Sequence, residues 1–149
     1  PNLLKYVKDL DIIATPHPKE AAFLLSCPVD IVQANRIAAM DSLCQLPINK
    51  QAKIVWILKG ACPIIAQRNG HTIVCEGGIS SLSIAGSGDT LAGILAALFK
   101  MTKNTLETAI LGVTAHLSAG RVLLQKAKRG HFASEIASEI PVLLYGKTI

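Results

Sequence analysis

Aromatic residues are scarce in this sequence: Phe, Trp and Tyr together make up 4% of its 149 residues. Proteins that bind single-stranded nucleic acid stack bases on aromatic side chains and follow the backbone with clustered cations. Here 15 Lys and Arg residues against 10 Asp and Glu residues give a net charge of +5, but the cations are scattered. The charge favours small anionic ligands, and we expect no nucleic-acid partner.

Long apolar runs are missing as well, although half of the residues are hydrophobic. The runs IVWIL (54–58) and ILAALF (94–99) end at a charged residue. A membrane-spanning helix needs roughly 20 consecutive apolar residues. The sequence therefore predicts no transmembrane segment and no membrane partner.

The sequence contains no Cys-x-x-Cys pair. Its four cysteines are widely spaced and lie within or beside apolar stretches: Cys27, Cys44, Cys62 and Cys75. Free cysteine usually behaves as a small buried hydrophobe, and disulfides are rare in reducing compartments. We therefore expect buried, reduced thiols rather than disulfides or zinc ligands, and a cytoplasmic protein.

Strand signals occur at three places. LDIIAT (10–15) is a short apolar run before the turn TPHP, typical of a buried strand. AKIVWILKG (52–60) is rich in β-branched and aromatic residues, which indicates a strand buried on both faces. PIIAQR (63–68) and HTIVC (71–75) flank Asn69-Gly70, which predicts an antiparallel hairpin with a two-residue turn.

Helix signals alternate with the strands. Pro18 can occupy the first turn of one helix, and Pro28 predicts the start of a second that runs to about residue 46. Residues of the second helix recur at intervals of three to four positions, namely Val32, Arg36, Ala39, Met40 and Leu43. This spacing indicates one face packed on a core.

Three more helices are predicted in the second half of the chain. The first runs from about Asp89 to Met101. Asn104 and Glu107 form a plausible capping box for the next. The last covers roughly 132–144, where Pro141 kinks or ends it.

Strands alternating with helices predict an α/β fold with a mostly parallel sheet covered on both faces. A chain of 149 residues suffices for one domain. Only two or three parallel-type strands accompany five helices, so we expect the C-terminal part of a larger domain. An uncovered apolar edge favours association, and we expect a homo-oligomer.

The segment AGSGDTLAG (85–93) is a glycine-containing loop that leads into the helix predicted from about Asp89. Gly86 and Gly88 permit positive φ, and the backbone N–H groups of residues 86–89 can form an anion site at the helix N-terminus. No Lys-Ser/Thr follows the glycines, and Gly93 comes too late for a dinucleotide fingerprint. Asp89 is then either an ordinary helix cap or a base acting on a hydroxyl beside a bound phosphate.

Two further loops follow strand ends, where open α/β sheets bind ligands. His17 lies in TPHPKE after the first strand, and Lys59-Gly60 follows the second. Alone, His17 is equally a capping or surface residue, and Lys59 an ordinary solvated cation. With the glycine loop, they predict three converging loops around a phosphate-bearing ligand.

Four segments in this order resemble the ADP/ATP-dependent NAD(P)H-hydrate dehydratases of the ribokinase-like superfamily, which are related to carbohydrate kinases: TPHPKEA (15–21), VWILKGACPIIA (55–66), AGSGDTLAGILAAL (85–98) and GVTAHLSAG (112–120). The resemblance implies that residues 1–149 form one partial domain, the C-terminal portion of a three-layer αβα ribokinase-like fold. In place of the family's usual Asn-Pro-Gly-Met-Ala-Thr-like run and first loop glycine, this chain has GISSLSI and Ala85.

The resemblance also implies roles for individual residues. His17 and Asp89 would contact the hydrated nicotinamide nucleotide. Asp89 would be the catalytic base, beside an anion hole made by Gly86, Ser87 and Gly88. The adenine nucleotide would lie against Gly88 and against Lys59, Gly60, Ala61, Cys62 and Pro63.

By the same resemblance, ADP or ATP with Mg²⁺ phosphorylates the hydroxyl of hydrated NADH or NADPH, and elimination of phosphate restores NADH or NADPH. The residues that hold the metal are not assigned. Two alternatives stay open: a ribokinase-like kinase for a hydroxymethylpyrimidine or a sugar, and a non-catalytic fragment of such a domain.

Overall fold

The computed structural model describes residues 10–47 and 52–146. The chain divides into two compact units, one ending at Glu76 and one beginning at Gly77. The first unit contains a four-stranded sheet and three helices, and the second is helical.

The strands of the first unit are β1 (Asp11–Ala14), β2 (Lys53–Leu58), β3 (Ile64–Gln67) and β4 (Ile73–Val74), in the spatial order β1-β2-β3-β4. β1 pairs parallel to β2, whereas the β2–β3 and β3–β4 pairs are antiparallel. The expected mostly parallel sheet is therefore wrong for the described residues. The short 59–63 connection explains this, because a parallel pair needs a crossover of a dozen or more residues.

The two strands that were predicted to be buried, β1 and β2, differ in burial. Residues Val55 to Leu58 of β2 are all buried, which confirms a strand buried on both faces. β1 is at one edge of the sheet and is only partly buried, so the prediction of a buried strand is wrong there.

The predicted β3–β4 hairpin is present, but its connection is longer than two residues. The last ladder pair is Ile65 with Ile73, and the turn is closed by a bond from the N–H of Gly70 to the carbonyl of Gln67. Asn69 has φ +59°, a conformation that Asn tolerates better than most residues.

The helices of this unit are α1 (Pro18–Leu25), α2 (Val29–Ala34) and α3 (Arg36–Cys44). A single helix from Pro28 to about residue 46 was expected, and the structure corrects this. Asn35 leaves the helical conformation, and its Oδ1 accepts a hydrogen bond from the N–H of Ala38 at 3.0 Å. Asn side chains compete for backbone groups in this way, so Asn35 ends one helix and caps the next.

These helices pack on one face of the sheet. Buried residues of the helices, including Met40 and Leu43, form one cluster with Trp56 and Leu58 of β2. At roughly 1.5–3 kcal/mol for each large buried side chain, this cluster is the main stabilising element of the first unit.

The second unit contains a 3₁₀ turn (Ser80–Leu82) and the helices α4 (Ser87–Thr102), α5 (Thr105–Lys126) and α6 (Ala133–Tyr145). Asn104 caps α5, because its Oδ1 accepts from the N–H groups of Leu106 and Glu107. Pro141 lies inside α6 and does not end it.

Small residues of α5 allow close packing in this unit. A Cβ at Gly112 would lie 2.6 Å from Cδ2 of Leu95, and one at Gly120 would lie 2.6 Å from Cγ of Leu82. The 3₁₀ turn is also bonded to α5, since Ser81 Oγ donates to the Gly120 carbonyl at 2.7 Å. The serine-rich segment before the glycine loop is therefore anchored on α5.

The four cysteines are free, as predicted, but none is fully buried, and Cys62 is exposed. The expectation of buried thiols is therefore wrong. None of the helices in residues 10–47 and 52–146 combines the length and the hydropathy that a membrane span requires.

Candidate active site

His17 lies immediately before α1 and caps it. Its Nδ1 accepts a hydrogen bond from the backbone N–H of Glu20 at 3.1 Å, and the Glu20 carboxylate accepts one from the backbone N–H of His17 at 2.7 Å. Pro18 at the first helical position lacks the N–H that would otherwise need a partner. The interpretation of His17 as a helix cap is thus confirmed.

Capping uses only Nδ1 of His17, so Nε2 is still able to donate a hydrogen bond to a ligand. Because Nδ1 accepts an N–H, the neutral ring carries its proton on Nε2. Nε2 lies 3.5 Å from Glu20 Oε1, and the His17 side chain is 47% exposed. His17 can therefore cap α1 and donate from Nε2 at the same time.

The 59–63 segment, predicted to bind a nucleotide, is fixed at both ends and open in the middle. The Lys59 N–H donates to the Pro16 carbonyl, and the Pro63 carbonyl accepts from the Cys75 N–H, each at 2.8 Å. Residues 60–62 are exposed. A loop held in this way presents its backbone to a ligand with little further ordering.

Glu20 joins the His17 turn to this segment. Its Oε2 lies 3.9 Å from Nζ of Lys59 and also accepts the His17 N–H. The ends of the parallel strands β1 and β2 thus place two of the three predicted loops side by side, as expected for the carboxyl edge of such a sheet.

A pocket of about 600 Å³ opens beside His17. Its walls are mostly apolar, and its polar side chains come from the turn after β1 and from the first turn of α1. It is lined by Ala14, Thr15, Pro16, His17, Lys19, Glu20, Phe23, Leu24 and Trp56. Its size and mixed lining are those of a small-molecule site.

The third predicted loop ends at α4, which begins two residues earlier than expected. Gly86 is the N-cap, with φ +82°, and a Cβ there would lie 3.1 Å from Cβ of Ala133. Asp89 is consequently the third residue of the helix. The interpretation of Asp89 as the N-cap is wrong, because the chain turns into the helix at the glycine.

The first turn of α4 leaves backbone donors available. Gly86 has no side chain to cap them, and the Ser87 N–H donates to the Ile84 carbonyl at 3.3 Å. The N–H groups of Gly88 and Asp89 have no acceptor among the described residues. Such donors, with the dipole of a 16-residue helix, attract anions.

The Asp89 side chain is exposed and makes no hydrogen bond or ion pair with any residue that the structure describes. A carboxylate without a protein partner is free to accept a proton from a ligand. Its placement beside unpaired amides is compatible with the predicted role as a base.

His116 of α5 contacts Ser87 in the first turn of α4. Its Nε2 lies 3.1 Å from both the carbonyl oxygen and Oγ of Ser87, and both residues are buried. Burial lowers the pKa of His116, while the hydrogen bond to the Ser87 backbone opposes that shift. Since a carbonyl can only accept, the neutral ring donates its Nε2–H to Ser87 and holds the start of α4.

The structure therefore groups the predicted residues in two sets. His17 and the 59–63 segment lie together in the first unit, and residues 86–89 lie at one helix start in the second. The expectation of a single crevice formed by all three loops stays a prediction.

Three contributing residues were not predicted: Glu20, Arg36 and His116. Arg36 donates to the carbonyls of Leu58 and Lys59, at the start of the 59–63 segment. Its signal was a cation within an apolar helical stripe. Glu20 stands three residues after His17, as the acid of a capping box does, and His116 lies among the apolar residues of α5.

Comparison with known proteins identifies the relatives of this chain. The family model described as NAD(P)H-hydrate dehydratase matches residues 3–142. The chain belongs to this family. The resemblance carried by the four ordered segments is thereby confirmed.

Curated members of the dehydratase family match most of this chain. The ADP-dependent (S)-NAD(P)H-hydrate dehydratase of Neisseria meningitidis is 37% identical over 138 residues, which are 91% of this chain and 44% of the relative. The bifunctional NAD(P)H-hydrate repair enzyme of Escherichia coli is 31% identical over 86% of this chain and 24% of its own length. The chain thus spans less than half the length of the relatives it matches.

Solved structures that match this chain have the ribokinase-like fold expected for the dehydratase family. A ribokinase-like superfamily protein from Enterococcus faecalis matches with a TM-score of 0.72 at 27% identity, over 89% of this chain and 43% of that one. An ADP/ATP-dependent NAD(P)H-hydrate dehydratase from Bacillus subtilis, co-crystallised with ATP and Mg²⁺, matches with a TM-score of 0.80 at 24% identity, over 90% and 47%. The α/β, ribokinase-like fold class is confirmed.

Proposed function

We propose that this protein dehydrates hydrated NADH and NADPH with ADP or ATP as phosphoryl donor. The observation that carries the proposal is the exposed carboxylate of Asp89 in the first turn of α4, which, like the neighbouring amides of Gly88 and Asp89, has no partner among the described residues of a chain of the dehydratase family. Relatives named as ADP-dependent and as bifunctional repair enzymes support it.

In the proposed reaction, Asp89 accepts the proton of the hydrate's hydroxyl as that oxygen attacks the terminal phosphorus of the nucleotide. The nucleotide leaves shortened by one phosphate. The C–O bond then breaks, phosphate departs with the bonding pair, and loss of a neighbouring proton restores the double bond of NADH or NADPH. The N–H groups of Gly88 and Asp89 are suited to stabilise the transferring phosphoryl group. Gly86 and Ser87 stay predicted members of the anion hole, although the Ser87 N–H donates to the Ile84 carbonyl.

The first unit would supply the binding groups. The exposed backbone of residues 60–62, with Lys59 and Pro63 at its ends, would hold the nucleotide. His17 would donate its Nε2–H to the hydrate, for example to a carboxamide oxygen. The pocket beside His17 has room for the nicotinamide ring of the hydrate.

Mg²⁺ fits this chemistry through the phosphates. Over the described ranges, no group of three His, Cys, Asp or Glu side chains could hold a metal ion. Mg²⁺ commonly keeps several waters and binds through one or two carboxylates plus substrate phosphates. The ion would therefore be held by the phosphates of the bound nucleotide and by water, and no residue of this chain is assigned to it.

The proposal also retains two expectations from the sequence. Free thiols at all four cysteines support a reducing compartment such as the cytoplasm. Self-association stays an expectation, with which exposed large apolar side chains such as Phe23 and Phe132 are compatible. Fractionation and sedimentation of the natural-length protein would test these two points.

The activity is tested with the protein at its natural length. Hydrated NADH is incubated with ADP or ATP and Mg²⁺, and recovery of the reduced-nicotinamide absorbance is followed. We expect recovery with release of phosphate. Phosphorylation of a small alcohol without recovery would instead favour a ribokinase-like kinase for a hydroxymethylpyrimidine or sugar, and inactivity towards both would favour a non-catalytic fragment.

The base is tested with D89N, and with D30N on exposed α2 as a matched control. We expect D89N to lower kcat by about three orders of magnitude or more while nucleotide binding is kept, because only the proton acceptor is lost. D30N should retain full activity. A D89N enzyme with wild-type kcat would contradict the assignment.

A further inference from the structure

Arg36 reaches from the start of α3 to the end of β2. Asn35 caps the helix at this point, and the Arg36 side chain extends toward the sheet. Its Nη2 donates to two successive carbonyls, that of Leu58 at 3.0 Å and that of Lys59 at 3.1 Å. One nitrogen thus holds the peptide units where β2 passes into the 59–63 segment.

The guanidinium also lies directly against Gly60. A Cβ built on Gly60 would be 2.8 Å from Nη2 and 2.9 Å from Cζ of Arg36. Gly60 has φ +150°, a conformation that residues with side chains rarely adopt, and a Cβ there would have to displace the Arg36 guanidinium. The conformation of Gly60 and the position of Arg36 are therefore coupled.

Placing the Arg36 side chain here lowers the stability of the fold, so packing alone does not explain its position. The Nε of Arg36 is buried and has no hydrogen-bond partner within residues 10–47 and 52–146. Burial lowers the pKa of Arg36, against a smaller opposite effect from Cys62. A buried donor without a partner destabilises a fold. The two carbonyl bonds are the compensating interaction, and they hold the end of β2 and the first residue of the 59–63 segment.

We propose that Arg36 is a positioning residue for nucleotide binding. By holding the carbonyls of Leu58 and Lys59 and lying under Gly60, it fixes the backbone of residues 60–62 in the conformation that receives ADP or ATP. The inference rests on the proposed function, which places the nucleotide on this segment. It predicts an effect on the nucleotide and none on the hydrate.

The experiment compares R36M and R36K with R68M in the natural-length protein. Arg68 is a matched control, because it also donates to two carbonyls, those of Cys44 and Leu46, but lies away from the 59–63 segment. ADP and ATP affinities are measured by calorimetry with Mg²⁺. KM values for nucleotide and for hydrated NADH are measured separately, and thermal unfolding is recorded for each variant.

We expect R36M to weaken nucleotide binding and raise the nucleotide KM by about tenfold or more, with the hydrate KM within about twofold of wild type. R36K keeps a donor and the charge but lacks the planar group on Gly60, so its loss should be smaller. R68M should bind nucleotide as wild type does, and its melting temperature should fall less than that of R36M, because the hydrogen bonds of Arg68 are exposed and those of Arg36 are partly buried. R36Q replaces R36M if the latter does not fold.

Wild-type nucleotide affinity in R36M, an equal rise in the hydrate KM, or an equal loss in R68M would each overturn the inference. Absence of ADP and ATP binding by the wild type would overturn it too. If the wild type binds nucleotide but does not dehydrate the hydrate, the proposed function fails, and calorimetry on the variants still decides the role of Arg36.

Discussion

His17 and Asp89 both stand at helix N-termini, but their local roles differ. His17 is the cap itself, with Nδ1 committed to the Glu20 N–H. Asp89 is inside the first turn and is not committed to any described partner. Residue type alone would have reversed this, because Asp is a far commoner cap than His. Position relative to Pro18 and Gly86 decides the role of each.

Glu20 is expected to stabilise α1 through its bond to the His17 backbone. E20A removes that bond and should lower the free energy of unfolding by about 1 kcal/mol. E107A is the control, because Glu107 has the same third position in α5, where Asn104 supplies the cap. Urea denaturation measures both. Equal losses in the two variants would show that the His17–Glu20 capping box contributes nothing beyond the helix dipole.

His116 is expected to make stability depend on pH. Because burial lowers its pKa in the folded state, the unfolded chain binds a proton first as pH falls below about 6.5. Its contribution is complete above that pH and is lost as pH falls toward the folded-state pKa. H116Q, which keeps a donor for the Ser87 carbonyl, should remove this part of the pH dependence.

The measurement for His116 is the free energy of unfolding between neutral and mildly acidic pH, compared between wild type and H116Q. The comparison cancels the contributions of the other histidines. Identical slopes in the two proteins would contradict a buried neutral His116.

At the scale of elements, Gly120 and Gly93 should respond in opposite ways to alanine. At Gly120 a Cβ would lie 2.6 Å from Cγ of Leu82 and 2.8 Å from Cγ2 of Ile79, so G120A must displace the 3₁₀ turn, at a cost of about 1–3 kcal/mol. At Gly93, inside α4, nothing lies within 4 Å, and G93A should stabilise by up to about 1 kcal/mol. Melting temperatures of the two variants test this, and a stable G120A would argue against the close packing of the turn on α5.

The sequence predicted those elements whose signals are local. The apolar run of β2, the Asn104 cap and the hairpin around Asn69 all depend on residues a few positions apart. The break at Asn35 was missed because the apolar stripe continues across it, and a side-chain hydrogen bond outweighed that pattern.

Features that depend on distant residues were not predictable in this way. Which strand is at the edge depends on strand order, so the partial burial of β1 could not be read from LDIIAT. At the candidate site the loops were found, but their supports were not. Arg36 acts on carbonyls 22 and 23 positions away, and His116 acts on Ser87 29 positions away.

At the scale of the whole molecule, the prediction that residues 1–149 form a single domain can be tested by the cooperativity of unfolding. Its two units end and begin at Glu76 and Gly77, so each has roughly half of the chain. Domains of about 60 residues bury only about 60% of their unfolded surface and are marginally stable alone. We therefore expect the two units to unfold together in one transition.

Two probes can separate the units in the same experiment. Trp56, the single tryptophan, reports on the first unit by fluorescence, whereas far-UV circular dichroism is dominated by the long helices α4 to α6 of the second. Coincident urea transitions are expected for one domain. If the circular dichroism transition were to come at a different urea concentration from the Trp56 transition, residues 1–149 would comprise two domains, and the 59–63 segment and Asp89 would belong to separately folding parts.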